Sequence, residues 1–227
     1  MLFKAVIFDF DGLMIDSERI ALRVWQELTA THGRDMTDEI NRLLIGKAPD
    51  VGAVIVRDAL DLPIPPEVLR KTYWELRTAR MCLEAQPAEG LEALLRYLDS
   101  CHIRLGVASN SSTSYVIQVL EALGMRSWFG TVIGSDQVQR GKPEPDVYLE
   151  TARLLGCKPD ETLALEDSPT GVMAAVRAGM ICYAIPNPNL EGEDFSQADA
   201  LFPSLSGLLE FLTQEQFGQE HSAQFHA

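Results

Sequence analysis

Asp9 and Asp11 are the residues of this chain best placed to do chemistry. They stand two positions apart, follow the apolar run Phe3, Ala5, Val6, Ile7 and Phe8, and precede Gly12. A run of that composition reads as a strand buried on both faces of a parallel sheet. Residues i and i+2 of an extended segment share a side. Both carboxylates therefore project beyond the strand's carboxyl end, where open α/β sheets bind their ligands. Paired carboxylates beside an apolar strand are costly to desolvate and repel each other, and a bound cation or a shared proton relieves both effects. For an isolated Asp-x-Asp-Gly, a solvated turn is the competing reading.

Further along, two more apolar runs end in polar residues. Ile103–Ala108 leads into Ser109-Asn110-Ser111-Ser112, and Thr162–Leu165 leads into Glu166-Asp167-Ser168. A fourth segment, Gly141-Lys142-Pro143-Glu144-Pro145, holds a lysine between a glycine and prolines just before a helix; Pro143 biases the lysine towards extended backbone. Read singly, each has a plain structural account. Ser109 and Asn110 could cap the next helix, Lys142 could be a surface lysine, and Glu166 a solvated acid.

The elements that must position these residues follow from hydrophobic spacing. Ser17 reads as the N-cap of a helix running to about residue 32, with Ile20, Val24 and Leu28 on one face. Thr37 caps a second helix, residues 50–60 form a third and 67–83 a fourth, with Pro63, Pro65 and Pro66 between the last two. No strand pattern interrupts residues 17–83. From residue 86 helices alternate with strands at 103–108, 131–134, 162–165 and 180–185. The final helix starts at Ser204 or Ser206 and runs to about Leu212, and the Gln-rich tail from Thr213 reads as frayed. The pattern predicts an α/β fold, a doubly wound parallel sheet of Rossmann-like type. Residues 1–15 and 86–227 form its core, and 16–85 are an inserted α-helical cap.

Composition narrows the partners. The 227 residues carry a formal net charge of −14, which disfavours nucleic acid and anionic membrane surfaces. Any phosphate-bearing ligand is drawn in by local cations against the overall field. Cys82, Cys101, Cys157 and Cys182 are scattered without a Cys-x-x-Cys pair, as reduced core residues are. No apolar run reaches membrane-spanning length and the start has no signal-like pattern, so the expectation is a cytoplasmic protein, by default a monomer.

Asp9-Phe10-Asp11-Gly12-Leu13, Ala108-Ser109-Asn110-Ser111, Gly141-Lys142-Pro143 and Glu166-Asp167-Ser168, in that order, resemble the four motifs of the haloacid dehalogenase superfamily. The likeness spans residues 5 to about 185, and the helical insert resembles the C1 cap of the branch holding β-phosphoglucomutase and many small phosphatases. The resemblance implies Asp9 as nucleophile forming an aspartyl-phosphate, and Asp11 as the acid that protonates the leaving oxygen and then the base that deprotonates water. It implies Mg²⁺ held by the Asp9 carboxylate, the Asp11 carbonyl and Asp167, with Glu166 acting directly or through water. Phe10, Ser109, Asn110, Lys142 and Lys47 become the substrate- and phosphate-contacting residues. Lys47 stands where a cap loop reaches over the active site in relatives, and a solvated cap lysine fits it equally.

Dehalogenases and phosphonatases lack the second aspartate, so Asp11 points to phosphoryl chemistry. β-Phosphoglucomutases carry a histidine where this chain has Ala21, and a cap-loop arginine where it has Lys47-Ala48-Pro49. The reading is a Mg²⁺-dependent phosphatase of a small phosphorylated metabolite, a sugar, polyol or nucleoside phosphate. The alternatives are a phosphomutase and a non-catalytic protein that senses a phosphorylated ligand.

Overall fold

The structure is a computed structural model that describes residues 3–44, 49–187, 190 and 192–224. The chain divides into two compact units, residues 16–85 and residues 1–15 with 86–227.

The larger unit is built on a parallel sheet. Among the described residues its strands are β1 (Ala5–Phe8), β2 (Arg104–Ala108), β3 (Thr131–Ile133), β4 (Thr162–Glu166), β5 (Ile181–Ala184) and β6 (Ala200–Leu201), in the spatial order β3-β2-β1-β4-β5-β6. β1 lies at the centre, with Phe8 opposite Val107 on one side and Leu165 on the other. The order reverses between β1 and β4, and crevices for ligands open at such switch points, beyond the carboxyl ends of the strands. Asp9 follows one of these two strands, and Glu166 ends the other.

Alternation along β1 covers both faces of the sheet. Ala5 and Ile7 join a core with Val147, Tyr148 and Ala152 of α7 (Asp146–Leu155) and Val172 and Ala175 of α8 (Pro169–Arg177). Phe8 turns the other way, its ring edge-on to Phe129 at 5.9 Å. A fully buried large apolar side chain such as Ile7 or Phe8 contributes about 1.5–3 kcal/mol, which anchors the strand end that carries Asp9. Helices α5 (Leu91–Ser100) and α6 (Thr113–Ala122) complete the unit with α9 (Leu205–Gln224).

The smaller unit is helical: α1 (Ser17–Ala30), α2 (Asp38–Leu44), α3 (Pro49–Leu60) and α4 (Pro66–Glu84). Trp25 of α1 stacks on Tyr73 of α4, centroids 4.0 Å apart. Arg80 reaches Glu27 at 2.9 Å, and Arg77 is buried with its guanidinium over the Trp74 ring. These side chains are occupied in packing the unit itself. Lys47 lies outside the described residues.

Two local expectations are corrected. Asp16, not Ser17, is the residue before α1, and its side chain makes no capping bond; Ser17 is already helical and buried. The tail does not fray at Thr213, because α9 continues to Gln224 through Gln and Glu residues that favour helix. β6, two residues long, has too little pattern to read from sequence.

Gly171, in the first turn of α8, is a packing requirement. A Cβ there would fall 1.9 Å from a Glu166 carboxylate oxygen. Helix propensity alone would make Gly171→Ala stabilising by about 1 kcal/mol. Overcrowding should reverse the sign and cost about 1–3 kcal/mol in urea unfolding. A more stable alanine variant would contradict this packing.

Candidate active site

The site grows out of the end of β1. The Asp9 amide still donates to the Leu165 carbonyl of β4 at 2.9 Å, so Asp9 leaves the sheet in register with the strand. The chain then turns at Gly12, where φ is +89° and a Cβ would lie 2.0 Å from Oδ2 of Asp167. Glycine is demanded twice, by a left-handed backbone and by the close approach of Asp167 from the neighbouring strand end. Phe10 faces the core with its side chain. Its ring is fully buried, edge-on to Tyr115 at 6.0 Å, so a substrate contact from Phe10 could come only from its backbone.

Lys142 enters from the loop before α7. Its ammonium is buried and pairs with Oδ1 of Asp9 and, at 2.5 Å, with Oε1 of Glu166. Oε1 of Glu166 also accepts the Tyr148 hydroxyl at 2.5 Å, and Lys142 Nζ sits 4.9 Å from the centre of the Tyr148 ring. The loop is pinned by Asn110. Its side-chain oxygen accepts from the Lys142 amide at 2.7 Å, and its Nδ2 donates to the Lys142 carbonyl at 3.1 Å. Asn110's amide thus goes to positioning Lys142. The Lys142–Pro143 peptide is cis.

Ser109 is buried at the end of β2, where its amide donates to the Ile133 carbonyl and its hydroxyl accepts from the Ser111 amide, both at 3.0 Å. Ser112, not Ser109 or Asn110, caps α6 by accepting from the Tyr115 amide. Asp11 is half-buried and differently partnered from Asp9. Ser111 donates to its Oδ2 at 2.7 Å and Tyr115 to its Oδ1 at 3.1 Å.

Asp9, Glu166 and Asp167 are all buried, and each offers a carboxylate oxygen within 4.8 Å of the others. Lys142 brings an ammonium to Asp9 and Glu166, and three carboxylates packed this closely repel one another unless protons or further positive charge are supplied. Burial pushes the Asp9 carboxyl well above its ordinary 3.8; Lys142 pulls it down, while Glu166 and Asp167 push it further up. Burial also works to strip the proton from Lys142, but Asp9 and Glu166 more than offset this and hold the ammonium above its ordinary value. A buried, oxygen-only donor set of three carboxylates fits a hard dication such as Mg²⁺.

The family model described as haloacid dehalogenase-like hydrolase matches residues 6–185. The chain is 35% identical to YhcW of Bacillus subtilis over 187 residues, 81% of this chain and 84% of that one. It is 27% identical to the phosphorylated carbohydrates phosphatase of Thermotoga maritima over 199 residues, 87% and 92% of the two chains. The crystal structure of CbbY from Rhodobacter sphaeroides in complex with phosphate superposes with a TM-score of 0.79 at 29% identity, covering 91% and 96% of the two chains. The chain belongs to the haloacid dehalogenase-like hydrolases, an enzyme of their small-molecule phosphatase branch. Members of this family typically use a divalent metal.

Four residues of the site escape a reading of the sequence. Tyr148 and Tyr115 lie on buried helical stripes, where an aromatic residue signals core. Ser111 is one of several serines in its loop. Asn187, which donates to Oδ2 of Asp167 at 3.2 Å, follows β5; a polar residue just past a further strand end was the available signal.

The proton on Asp9 gives a signed prediction. The metal-free fold holds that proton to higher pH than the unfolded chain, so this contribution to stability is lost as pH rises from 3.8 through the raised value. A dication competes with the same proton. Saturating Mg²⁺ should therefore raise Tm at about pH 7.5 and do so less at about pH 5. An equal Tm with Mg²⁺ and with EDTA at both pH values would contradict the carboxylate site.

Proposed function

We propose that the protein is a Mg²⁺-dependent phosphatase of a small phosphorylated metabolite, a sugar or polyol phosphate in the first instance. The observation that carries this reading is the buried group of Asp9, Glu166 and Asp167 at the switch point, with Lys142 set between Asp9 and Glu166. Such a group suits a nucleophilic carboxylate that a bound dication and the fixed ammonium would together keep ionised. The name of the Thermotoga maritima relative, a phosphatase of phosphorylated carbohydrates, supports the substrate class.

In this reading an Asp9 carboxylate oxygen attacks phosphorus. The bond from phosphorus to the leaving oxygen breaks, and Asp11 delivers its proton to that oxygen. Water then attacks the aspartyl-phosphate and gives a proton to Asp11; the bond to Asp9 breaks and inorganic phosphate leaves. Lys142 is placed to stabilise negative charge on the transferring group as well as on Asp9. Glu166, through Oε1, holds the Lys142 ammonium, and Tyr148 holds Glu166. The Ser109 hydroxyl and the Asn110 backbone amide present donors to phosphoryl oxygens. The Asp9 and Asp167 side chains and the Asp11 carbonyl are the donors for Mg²⁺, which when bound supplies positive charge to the phosphoryl oxygens.

Phosphate release from sugar and polyol monophosphates, with Mg²⁺ and with EDTA, tests the proposal. One substrate should stand out with Mg²⁺, and Asp9→Asn should lower its turnover by more than about a thousandfold. Undiminished turnover in Asp9→Asn would contradict the mechanism. Isomerisation of glucose 1-phosphate to glucose 6-phosphate without net phosphate release would replace the phosphatase with a mutase, and tight binding without turnover would replace it with a sensor.

A further inference from the structure

The two aspartates at the end of β1 are held by chemically different partners. Asp9 faces the ammonium of Lys142, which can donate hydrogen bonds but never accept one. Asp11 carries a hydroxyl on each oxygen, Ser111 on Oδ2 and Tyr115 on Oδ1. A hydroxyl donor on each oxygen holds the carboxyl at two points. We propose that Ser111 and Tyr115 are positioning residues for Asp11. They fix the orientation of its carboxyl towards the leaving oxygen. This inference rests on the reading of Asp11 as acid and base given above.

Both hydroxyls are themselves anchored. The Ser111 amide donates to Ser109 Oγ at 3.0 Å, and the Ser111 carbonyl accepts from the Ser135 amide at 3.1 Å. These bonds fix the loop between β2 and α6. Tyr115 sits in the first turn of α6, buried, with its ring edge-on to Phe10 at 6.0 Å. It therefore grips the Asp9–Gly12 turn at two points, the ring on Phe10 and the hydroxyl on Asp11. Proton transfer needs donor and acceptor at hydrogen-bond distance in the reacting complex, and a carboxyl free to rotate about its side-chain torsions spends less time in reach of the leaving oxygen.

If the two hydroxyls serve only to satisfy buried polar groups, their loss slows every substrate alike. If they aim Asp11, the loss falls on substrates whose leaving oxygen needs its proton. An alkyl oxygen needs that proton to depart, whereas 4-nitrophenolate leaves readily without it. The readout is kcat/KM, which for this mechanism reports the steps up to the aspartyl-phosphate.

The experiment compares 4-nitrophenyl phosphate with whichever of glycerol 3-phosphate, fructose 1-phosphate and glucose 6-phosphate the wild-type enzyme turns over fastest. Tyr115→Phe keeps the ring and its contact with Phe10, and Ser111→Ala removes only the hydroxyl. Each should lower the alkyl-to-aryl ratio of kcat/KM by about tenfold, and Ser111→Thr, which restores a hydroxyl, should recover most of it. An equal fall for both substrates, no fall for either, or a rise in the ratio would overturn the proposal. Asp11→Asn separates the two levels of the argument. If it collapses the ratio while Tyr115→Phe and Ser111→Ala do not, the positioning role fails and the acid stands. If Asp11→Asn leaves the ratio unchanged, the reading of Asp11 as the acid fails and the positioning role falls with it.

Discussion

A buried ammonium between two buried carboxylates is the interaction on which this site depends. Lys142, Asp9 and Glu166 come from three separate segments, and none is tolerable in its position alone. Removing one partner of such a pair costs about 3–5 kcal/mol, because the remaining charge stays buried without compensation. Much of the surrounding sequence serves this contact. Asn110 pins the backbone of Lys142, Tyr148 supports Glu166 from beneath, and Gly171 leaves room for the Glu166 carboxylate. The clustering of Asp9, Glu166 and Asp167 beside that ammonium is what makes them a seat for a dication.

The fold supplies the place for that balance. Strand order reverses between β1 and β4, and the two strand ends that flank the reversal carry Asp9 on one side and Glu166 with Asp167 on the other. Gly12 then lets the turn after β1 pass close to Asp167. The same turn separates the aspartates by environment: Asp9 faces a permanent cation, and Asp11 faces two hydroxyls. Two residues of one type, two positions apart, are thereby given different chemistry by what other segments bring to them.

How much of this was legible in the sequence depends on how local its cause is. β1 could be read because a strand buried on both faces leaves an unbroken apolar run, and its charged end marked the site. In α1 the four-residue spacing of Ile20, Val24 and Leu28 marked the buried face, whereas Leu43, Val51 and Val54 of α2 and α3, read as stripes, are exposed; the alternation that makes the sheet was legible. Strand order was not, since it depends on pairings between segments far apart in the chain. Tyr115 and Tyr148 read as core, and they are; where their hydroxyls go is decided by residues on other strands. The ring of Phe10, inside a motif of chemical residues, belongs to the core, which the motif alone did not show. The end of α9 was misread because a polar tail looks disordered by composition although its residues favour helix.

The central claim is that Asp9 is the atom donor to phosphorus, and capture of the intermediate tests it most directly. The protein would be mixed with its best alkyl phosphomonoester and Mg²⁺, quenched in acid within a single turnover, digested and analysed by mass spectrometry. The account predicts one phosphoryl group on the peptide containing Asp9, labile to hydroxylamine as an acyl phosphate is. Full single-turnover phosphate release with no phosphoryl group on the protein at any quench time, or with the label on another residue, would contradict it.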